Sequence, residues 1–499
     1  MIYPNTSESQ GPFPGKKSKH MIKYLILLVI PFFMGCNQEA PKKRPNVVIF
    51  LADDLGYNDV SAYRKMHPVH SDTPPTTSTP NIDNLMAQGM SFTDFYCGAA
   101  VCSPSRSALM TGRNATRVGI YNWIPPNSPM HMRSEEVTIA EVLKGEGYNT
   151  GHFGKWHLTS EGPDQPHPND QGFDFSVYAY NNAKPSHHNP NNYFKNGEPM
   201  GELEGYACQI VIDEAIDWLE GIDKEADPFY LNVWFNEPHL QVAAPEELTQ
   251  RHSYNQDYYG AIENLDLAMG RMLDYLEANG LSDNTIILFT SDNGSRWDHS
   301  NDPLRGEKCF NYEGGIRVPF VAKWTGQIPA GKINNMPGSF TDVLPSIAEI
   351  TGAPLPNRKM DGISIASVFT GKEESIARKE PLFFYRYFHD PICMLREGDW
   401  CLLGYQNLIP KAESLNEGAL ANIKPGPGEP RGSQWSFQEG HMSFIQQQMP
   451  DKFELYNLKD DKEQEFDLAD KYPDKVEAMK KKMFELKAEM VADGGDWFE

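Results

Sequence analysis

Cysteine is scarce in this sequence. The seven in 499 residues cannot all pair, and their spacings match no zinc site, so no disulfide is assigned. Long apolar runs are missing too. The run near the N-terminus, Tyr24 to Met34, holds eleven residues, against the ~20 a helix needs to span a bilayer. Positive charge is in short supply, with 45 Lys and Arg against 68 Asp and Glu and a net charge of −23. A surface of that sign repels nucleic-acid phosphates, which excludes nucleic acid as a partner; any anionic ligand must be met by a local basic pocket. There is no internal repeat. What is plentiful is Gly (40) and Pro (38), the composition of long irregular loops on a regular scaffold. The length suffices for a large domain plus a smaller one.

The N-terminus carries an address. Lys16, Lys17, Lys19 and Lys23 precede the short apolar run, and Gly35-Cys36 follows it, the order of a secretory signal. Phe33-Met34-Gly35-Cys36 is similar to a bacterial lipobox, in which Cys36 becomes the lipidated first residue of the mature chain; the alternative is a plain signal peptide with a coincidental Cys. Met1 and Met21 are both candidate starts. Residues 1–36 are thus read as a signal or lipoprotein segment and 37–45 as a tether. The chain is expected to be exported, to the periplasm or cell surface, touching a membrane only through a lipid anchor on Cys36.

Beyond the tether, Asn46–Ala52 is a continuous β-branched and apolar run, the pattern of a strand buried on both faces of a parallel sheet. Similar runs are Phe229–Phe235 and Thr285–Ser291, with Met90–Tyr96, Tyr148–His157 and Pro319–Trp324 as further strands. Helices are expected from Thr79, from Ser134 (with Ile139, Val142 and Leu143 on one face), over Gly205–Ile222 and over Asp257–Asn279. The stretches 67–80 and 161–199 read as loops. Strand and helix alternate over 46–372, which predicts an α/β fold: a large, mainly parallel sheet sandwiched by helices. A charged boundary near 372–380 leads to a smaller C-terminal α+β domain, 380–499. There Leu382–Tyr387, Cys393–Arg396, Trp400–Tyr405 and Phe453–Leu458 form a short antiparallel sheet, Lys424–Gly432 is a flexible excursion, and Pro473–Val491 is the closing helix.

In an open parallel sheet, ligands bind beyond the carboxyl ends of the strands. Three buried strands end in Asp53-Asp54, His239 and Asp292-Asn293, so these residues are predicted to converge on one edge. Cys102 joins them at the start of a helix, with Ser103 as its cap and Pro104 at the first helical position. A thiolate or anionic oxygen is favoured there, and Arg106 returns on the same face one turn later. Packed carboxylates need a cation, and the all-oxygen donors Asp53, Asp54, Asp292 and Asn293 suit Ca²⁺ or Mg²⁺. The plainer readings are a buried hydrophobic Cys102 and an Asp53-Asp54 pair that only caps a turn.

The string Cys102-Ser103-Pro104-Ser105-Arg106, followed by Thr111-Gly112-Arg113, resembles the signature of the type I sulfatases of the alkaline phosphatase superfamily. Further matching stretches are Asn46–Gly56, Gly154–His157, Glu237–His239, Ser291–Gly294, Lys308–Pro319 and Phe453–Leu458. The resemblance implies that a maturating enzyme converts Cys102 to formylglycine, which works as its hydrate. It implies one Ca²⁺ on Asp53, Asp54, Asp292, Asn293 and residue 102, with Arg106 and His157 on the hydrate and Lys155, His239 and Lys308 on the sulfate. One hydroxyl of the hydrate attacks sulfur and His239, with Lys308, protonates the departing sugar oxygen. His157 then takes the proton of the second hydroxyl as the aldehyde reforms.

The expected substrate is an extracellular sulfated polysaccharide or oligosaccharide: an algal glycan such as ulvan or carrageenan, or a glycosaminoglycan. One rival is a phosphonate or phosphate monoester hydrolase of the same superfamily; Asn293, where a two-metal enzyme carries His, argues for one hard cation and sulfate. The other rival is a non-catalytic glycan-binding lipoprotein. His152 is expected in the core, His187-His188 in a solvated loop, and Arg296, Trp297 and His299 at the pocket entrance.

Overall fold

The computed structural model describes residues 43–66, 77–406 and 437–498, apart from positions 163, 225 and 388. The signal and lipobox, most of the tether, most of the 67–80 loop and the Lys424–Gly432 excursion lie outside the described residues.

All seven residues of β1 (Asn46–Ala52) are buried, and the remaining elements assemble around that strand. In chain order the principal ones are α1 (Pro80–Gln88), β2 (Met90–Phe92), β3 (Phe95–Tyr96), α2 (Cys102–Thr111), α3 (Ile139–Gly145) and β4 (Asn149–Lys155). Next come β5 (Phe175–Ala179), β6 (Phe194–Lys195), β7 (Glu198–Pro199), α4 (Ala207–Gly221), β8 (Phe229–Trp234), α5 (Gln256–Ala278) and β9 (Thr285–Ser291). The chain continues with β10 (Phe320–Lys323), β11 (Lys332–Asn334), β12 (Gly338–Ser339), α6 (Val343–Thr351), β13 (Leu382–Tyr385), β14 (Cys393–Glu397), β15 (Trp400–Tyr405), β16 (Lys452–Asn457) and α7 (Pro473–Gly494).

Ten strands form the main sheet in the order β11-β2-β10-β9-β1-β8-β4-β5-β6-β7. The five central strands, β9-β1-β8-β4-β5, are mutually parallel, while β10 runs antiparallel to both β9 and β2. Successive β1 residues point to opposite faces. Val47, Ile49 and Leu51 enter one apolar cluster, which continues without a break into the C-terminal sheet and α7. Val48, Phe50 and Ala52 enter a second, covered by α4 and α5. The C-terminal sheet is antiparallel, β13-β14-β15-β16. A largely buried ion pair, Arg396 to Asp94 at 2.6 Å, ties it to the turn after β2, and Arg117 pairs with the half-exposed Asp493 of α7 at 2.7 Å. Arg113, the last residue of the Cys-x-Pro-x-Arg…Thr-Gly-Arg string, pairs with Glu136, so its part in the fold is structural.

Several local expectations need correction. Met90–Tyr96 is two strands rather than one, because Thr93-Asp94 breaks the run and β3 pairs with β12 in a separate two-stranded sheet. The helix expected from Ser134 starts at Ile139, where Thr138 and Glu141 form a reciprocal capping box. The segment 161–199 is not all loop; it contributes β5, a parallel partner of β4, and the β6–β7 hairpin. His187 is fully buried, not solvated, whereas His188 is exposed. His152 does lie in the core, flanked by Trp156, Phe173 and Trp234.

Candidate active site

The central strands end in step. Backbone pairing runs past them: Asp53 N–H donates to Glu237 O (3.0 Å), Asp292 N–H to Ala52 O (3.0 Å) and His157 N–H to Tyr180 O (2.8 Å). Parallel register therefore delivers Asp53-Asp54, Asp292-Asn293 and His239 to one sheet edge, as strand direction alone predicts, and brings Lys155 and His157 there with them. Two glycines make the approach feasible. Gly154 has φ 111°, and a Cβ there would fall 1.9 Å from Trp234 O; a Cβ on Gly294 would fall 1.9 Å from Gly314 O. Asp54 and His157 hold positive φ themselves, 66° and 54°. Such backbone costs about 1–3 kcal/mol and persists where the surroundings over-determine it.

Helix α2 brings Cys102 to the same edge, though not as expected. Val101 occupies the N-cap, Pro104 is the third helical residue, and Ser103 caps nothing: its Oγ accepts from Ile124 N at 3.0 Å. Nor is a thiolate favoured. Burial, helped by Asp292 and Asp53, outweighs Lys155 and Lys308 and pushes the Cys102 thiol up to about 12. The unmodified side chain is therefore a neutral thiol at pH 7.

Cations and carboxylates interleave around that thiol. Lys308 Nζ donates to Cys102 Sγ at 3.3 Å and to Asp54 Oδ2 at 2.7 Å. Lys155 Nζ donates to Asp53 Oδ2 at 2.6 Å and Asn182 Oδ1 at 3.1 Å. Arg106 Nε donates to Asp292 Oδ2 at 2.9 Å, its Nη1 to Lys155 O at 2.8 Å, and its guanidinium lies over Trp234. Burial would raise the Asp54 carboxyl, but Lys308, with His239 and Lys155, holds it well below the usual range. For Asp292 burial and Asp53 prevail over Arg106, and its carboxyl sits up at about 6.

The two histidines present defined atoms. His239 Nδ1 donates to Leu240 O (2.6 Å), which leaves Nε2 on the cavity side, 3.5 Å from Asp54 Oδ2. His157 Nε2 donates to Ile124 O (3.0 Å), and its buried Nδ1 has no partner. Burial first, then nearby cations (Lys308 for His239; Lys155 and Arg106 for His157), hold both imidazoles below the ordinary histidine range and hence neutral.

A metal fits this donor set. One oxygen each from Asp53 and Asp54, Cys102 Sγ and a ring nitrogen of His239 all lie within 4.8 Å of one another. Asn293 donates from Nδ2 to Asp54 Oδ1 at 2.7 Å, and its Oδ1 is buried without a hydrogen-bond partner. An orphaned amide oxygen beside three carboxylates is a ligand for a hard cation. Above them opens a cavity of about 660 Å³ whose walls include Cys102, His157, His239 and Lys308.

This geometry agrees with what similarity to known proteins gives. The Sulfatase family profile matches residues 45–353. Arylsulfatase A of Homo sapiens is 33% identical over 383 residues, 71% of this chain and 73% of that protein. The chain belongs to the sulfatase family. N-acetylgalactosamine-6-sulfatase of Canis lupus familiaris is 30% identical over 398 residues, 72% of each chain. Among solved structures, Ps i-CgsB in complex with k-i-k-neocarrahexaose superposes with a TM-score of 0.73 at 26% identity, covering 89% of this chain and 93% of that one. The sulfatase is accordingly a sulfuric ester hydrolase, and its family generally uses formylglycine and a divalent metal ion.

Sequence reasoning missed part of this sulfatase's cavity wall. Asn181 and Asn182 line it, and they follow β5; recognising that strand would have flagged them by the same strand-end rule. Arg296 lines the cavity, whereas Trp297 and His299 border a neighbouring surface depression. Trp123, Arg386 and His389 also line the cavity, and nothing in their sequence neighbourhood marks them.

Proposed function

We propose that this sulfatase removes sulfate from an extracellular sulfated polysaccharide or oligosaccharide, with carrageenan and ulvan as the first candidates and glycosaminoglycans next. The observation that carries this reading is the meeting of Lys308 and His239 around residue 102 on the floor of an open cavity wide enough for sugar, with Lys155 buried behind them on Asp53. The solved relative with a bound neocarrahexaose supports the carbohydrate class.

Ca²⁺ would be held by Asp53, Asp54, Asp292, Asn293 and residue 102, and it supplies neutralisation of charge at the sulfate oxygens. Formylglycine made from Cys102 by a maturating enzyme supplies, as its hydrate, the attacking hydroxyl and a second one that lets the aldehyde reform. The chain's own groups do the rest. Lys155 and Lys308 hold the sulfate oxygens where negative charge must be offset. Arg106 fixes Asp292 and the Lys155 backbone. His239, neutral in the free enzyme, would take a proton on Nε2 once the anionic sulfate binds beside it and give that proton to the departing sugar oxygen; the free Nδ1 of His157 takes a proton as sulfate leaves. Export and lipidation at Cys36 belong to the same proposal. The signal order in the sequence supports them, and no described helix is long and apolar enough to cross a membrane.

The test is turnover by enzyme co-produced with a maturating enzyme. Aryl sulfate and sulfated oligosaccharides of the three classes should be desulfated, with loss of activity in EDTA and recovery on adding Ca²⁺. Faster turnover of aryl phosphate than aryl sulfate would transfer the protein to the phosphatase branch. Failure on all three oligosaccharide classes would remove the carbohydrate reading.

A further inference from the structure

Two cations on the cavity wall, Arg296 and Arg386, are left over by the chemistry above; Arg296 is exposed and Arg386 is buried. Arg386 follows β13 of the C-terminal sheet, is 3% exposed and lines the cavity on the side of Lys308, Cys309 and Phe310. Its hydrogen-bond partners are all neutral. Nη1 donates to Cys309 O and to His389 Nδ1, and Nη2 donates to Asn122 Oδ1 at 3.3 Å. No carboxylate among the described residues pairs with it, and Nε has no hydrogen-bond partner. A guanidinium carries five N–H donors, so Nε–H and one Nη2–H stay free. Two adjacent donors on a rigid plane are the fork that takes a carboxylate or a sulfate side-on.

A buried charge without a counter-ion is costly and is retained where something pairs with it. His389 does not supply that charge. Burial and Arg386 itself push its imidazole down to about 2, so it faces the guanidinium as a neutral acceptor. Arg386 is also fixed to the reacting centre: the carbonyl it holds belongs to Cys309, directly after Lys308, whose Nζ contacts Cys102. The cavity, at about 660 Å³, is of a size that takes a drug-sized ligand rather than a sulfate alone.

We infer that Arg386 is a specificity residue that binds a second anionic group of the substrate, either a uronate carboxylate or a further sulfate ester, beside the sulfate that is hydrolysed. The inference rests on the sulfated-carbohydrate reading above and narrows it to polyanionic chains.

The experiment uses matured full-length enzyme and two pairs of oligosaccharides that share one scissile sulfate. One pair differs in a neighbouring uronate against its carboxyl-reduced form, the other in a second sulfate against its absence. Wild-type enzyme should prefer the doubly charged member of one pair by at least tenfold in kcat/KM, and which pair responds identifies the group. In Arg386→Gln that preference should collapse to within about twofold, chiefly through KM, and Arg386→Lys should restore part of it. If wild-type enzyme desulfates both members of both pairs equally well, or if R386Q lowers kcat/KM for both members alike, Arg386 only braces the Lys308 loop and the inference is overturned. The wild-type comparison decides even if R386Q fails to fold. Should wild-type enzyme desulfate none of the four sugars while turning over aryl sulfate, it is the carbohydrate reading that fails instead.

Discussion

Lys308 shows at the scale of one residue how stability and chemistry are joined here. Its ammonium touches Asp54 and Cys102 at once, and Asp54 is 2% exposed. Removing one partner of a buried pair typically costs about 3–5 kcal/mol, because the other charge is left uncompensated. Lys308→Ala should lose that much stability in EDTA, measured by urea unfolding, and much of the loss should be recovered in Ca²⁺, since the ion then pairs with Asp54. Turnover should fall by about 10²–10³ and should not recover, because one donor to the developing charge is gone. Full recovery of turnover with Ca²⁺ would place Lys308 outside the chemistry.

At the scale of elements, β4 carries the site and also a pH liability. His152 is fully buried among Trp156, Phe173 and Trp234, and burial, then Arg106, hold its pKa down at about 3. The unfolded value is about 6.5, so the unfolded chain gains a proton that the folded one refuses. The resulting penalty is absent above pH 6.5 and grows as pH falls toward 3. Between pH 7 and 5 it amounts to about 2 kcal/mol. In His152→Phe that part of the acid destabilisation should vanish; identical pH dependence of unfolding in the two proteins would contradict the argument. The same strands show what was legible in the sequence. β1, β8 and β9 were readable because strands buried on both faces are continuous apolar runs, and their ends led to Asp53-Asp54, His239 and Asp292-Asn293. β5 was hidden because five residues in a stretch rich in Asn, Pro and His carry no such run, and with it went Asn182. The caps failed for a related reason. Ser103 and Ser134 fit a cap locally, but tertiary packing turned Ser103 toward Ile124 and moved the second helix start to Thr138. Arg386 reaches the cavity from another sheet, a relation that spacing does not encode.

At the scale of the whole molecule, one sheet edge gathers residues from 53 to 308 and the C-terminal sheet closes the cavity from the side. Metal binding should therefore stabilise the entire fold by linkage, about 2.7 kcal/mol at a hundred times the Kd. Calcium should raise the unfolding midpoint of wild-type protein, and Asn293→Ala should shift the concentration needed upward by at least tenfold, since changes in outer contacts alone cost about 10–100-fold. An unshifted titration would remove Asn293 from the ligand set. The central claim is that residue 102 works as an aldehyde made from a thiol. It is tested most directly by mass spectrometry of the peptide spanning Cys102, taken from the same preparation whose aryl sulfate turnover is measured. Specific activity should rise in proportion to the fraction of peptide converted to the lighter formylglycine form. Full activity in a preparation whose Cys102 peptide carries only the unmodified thiol would contradict it.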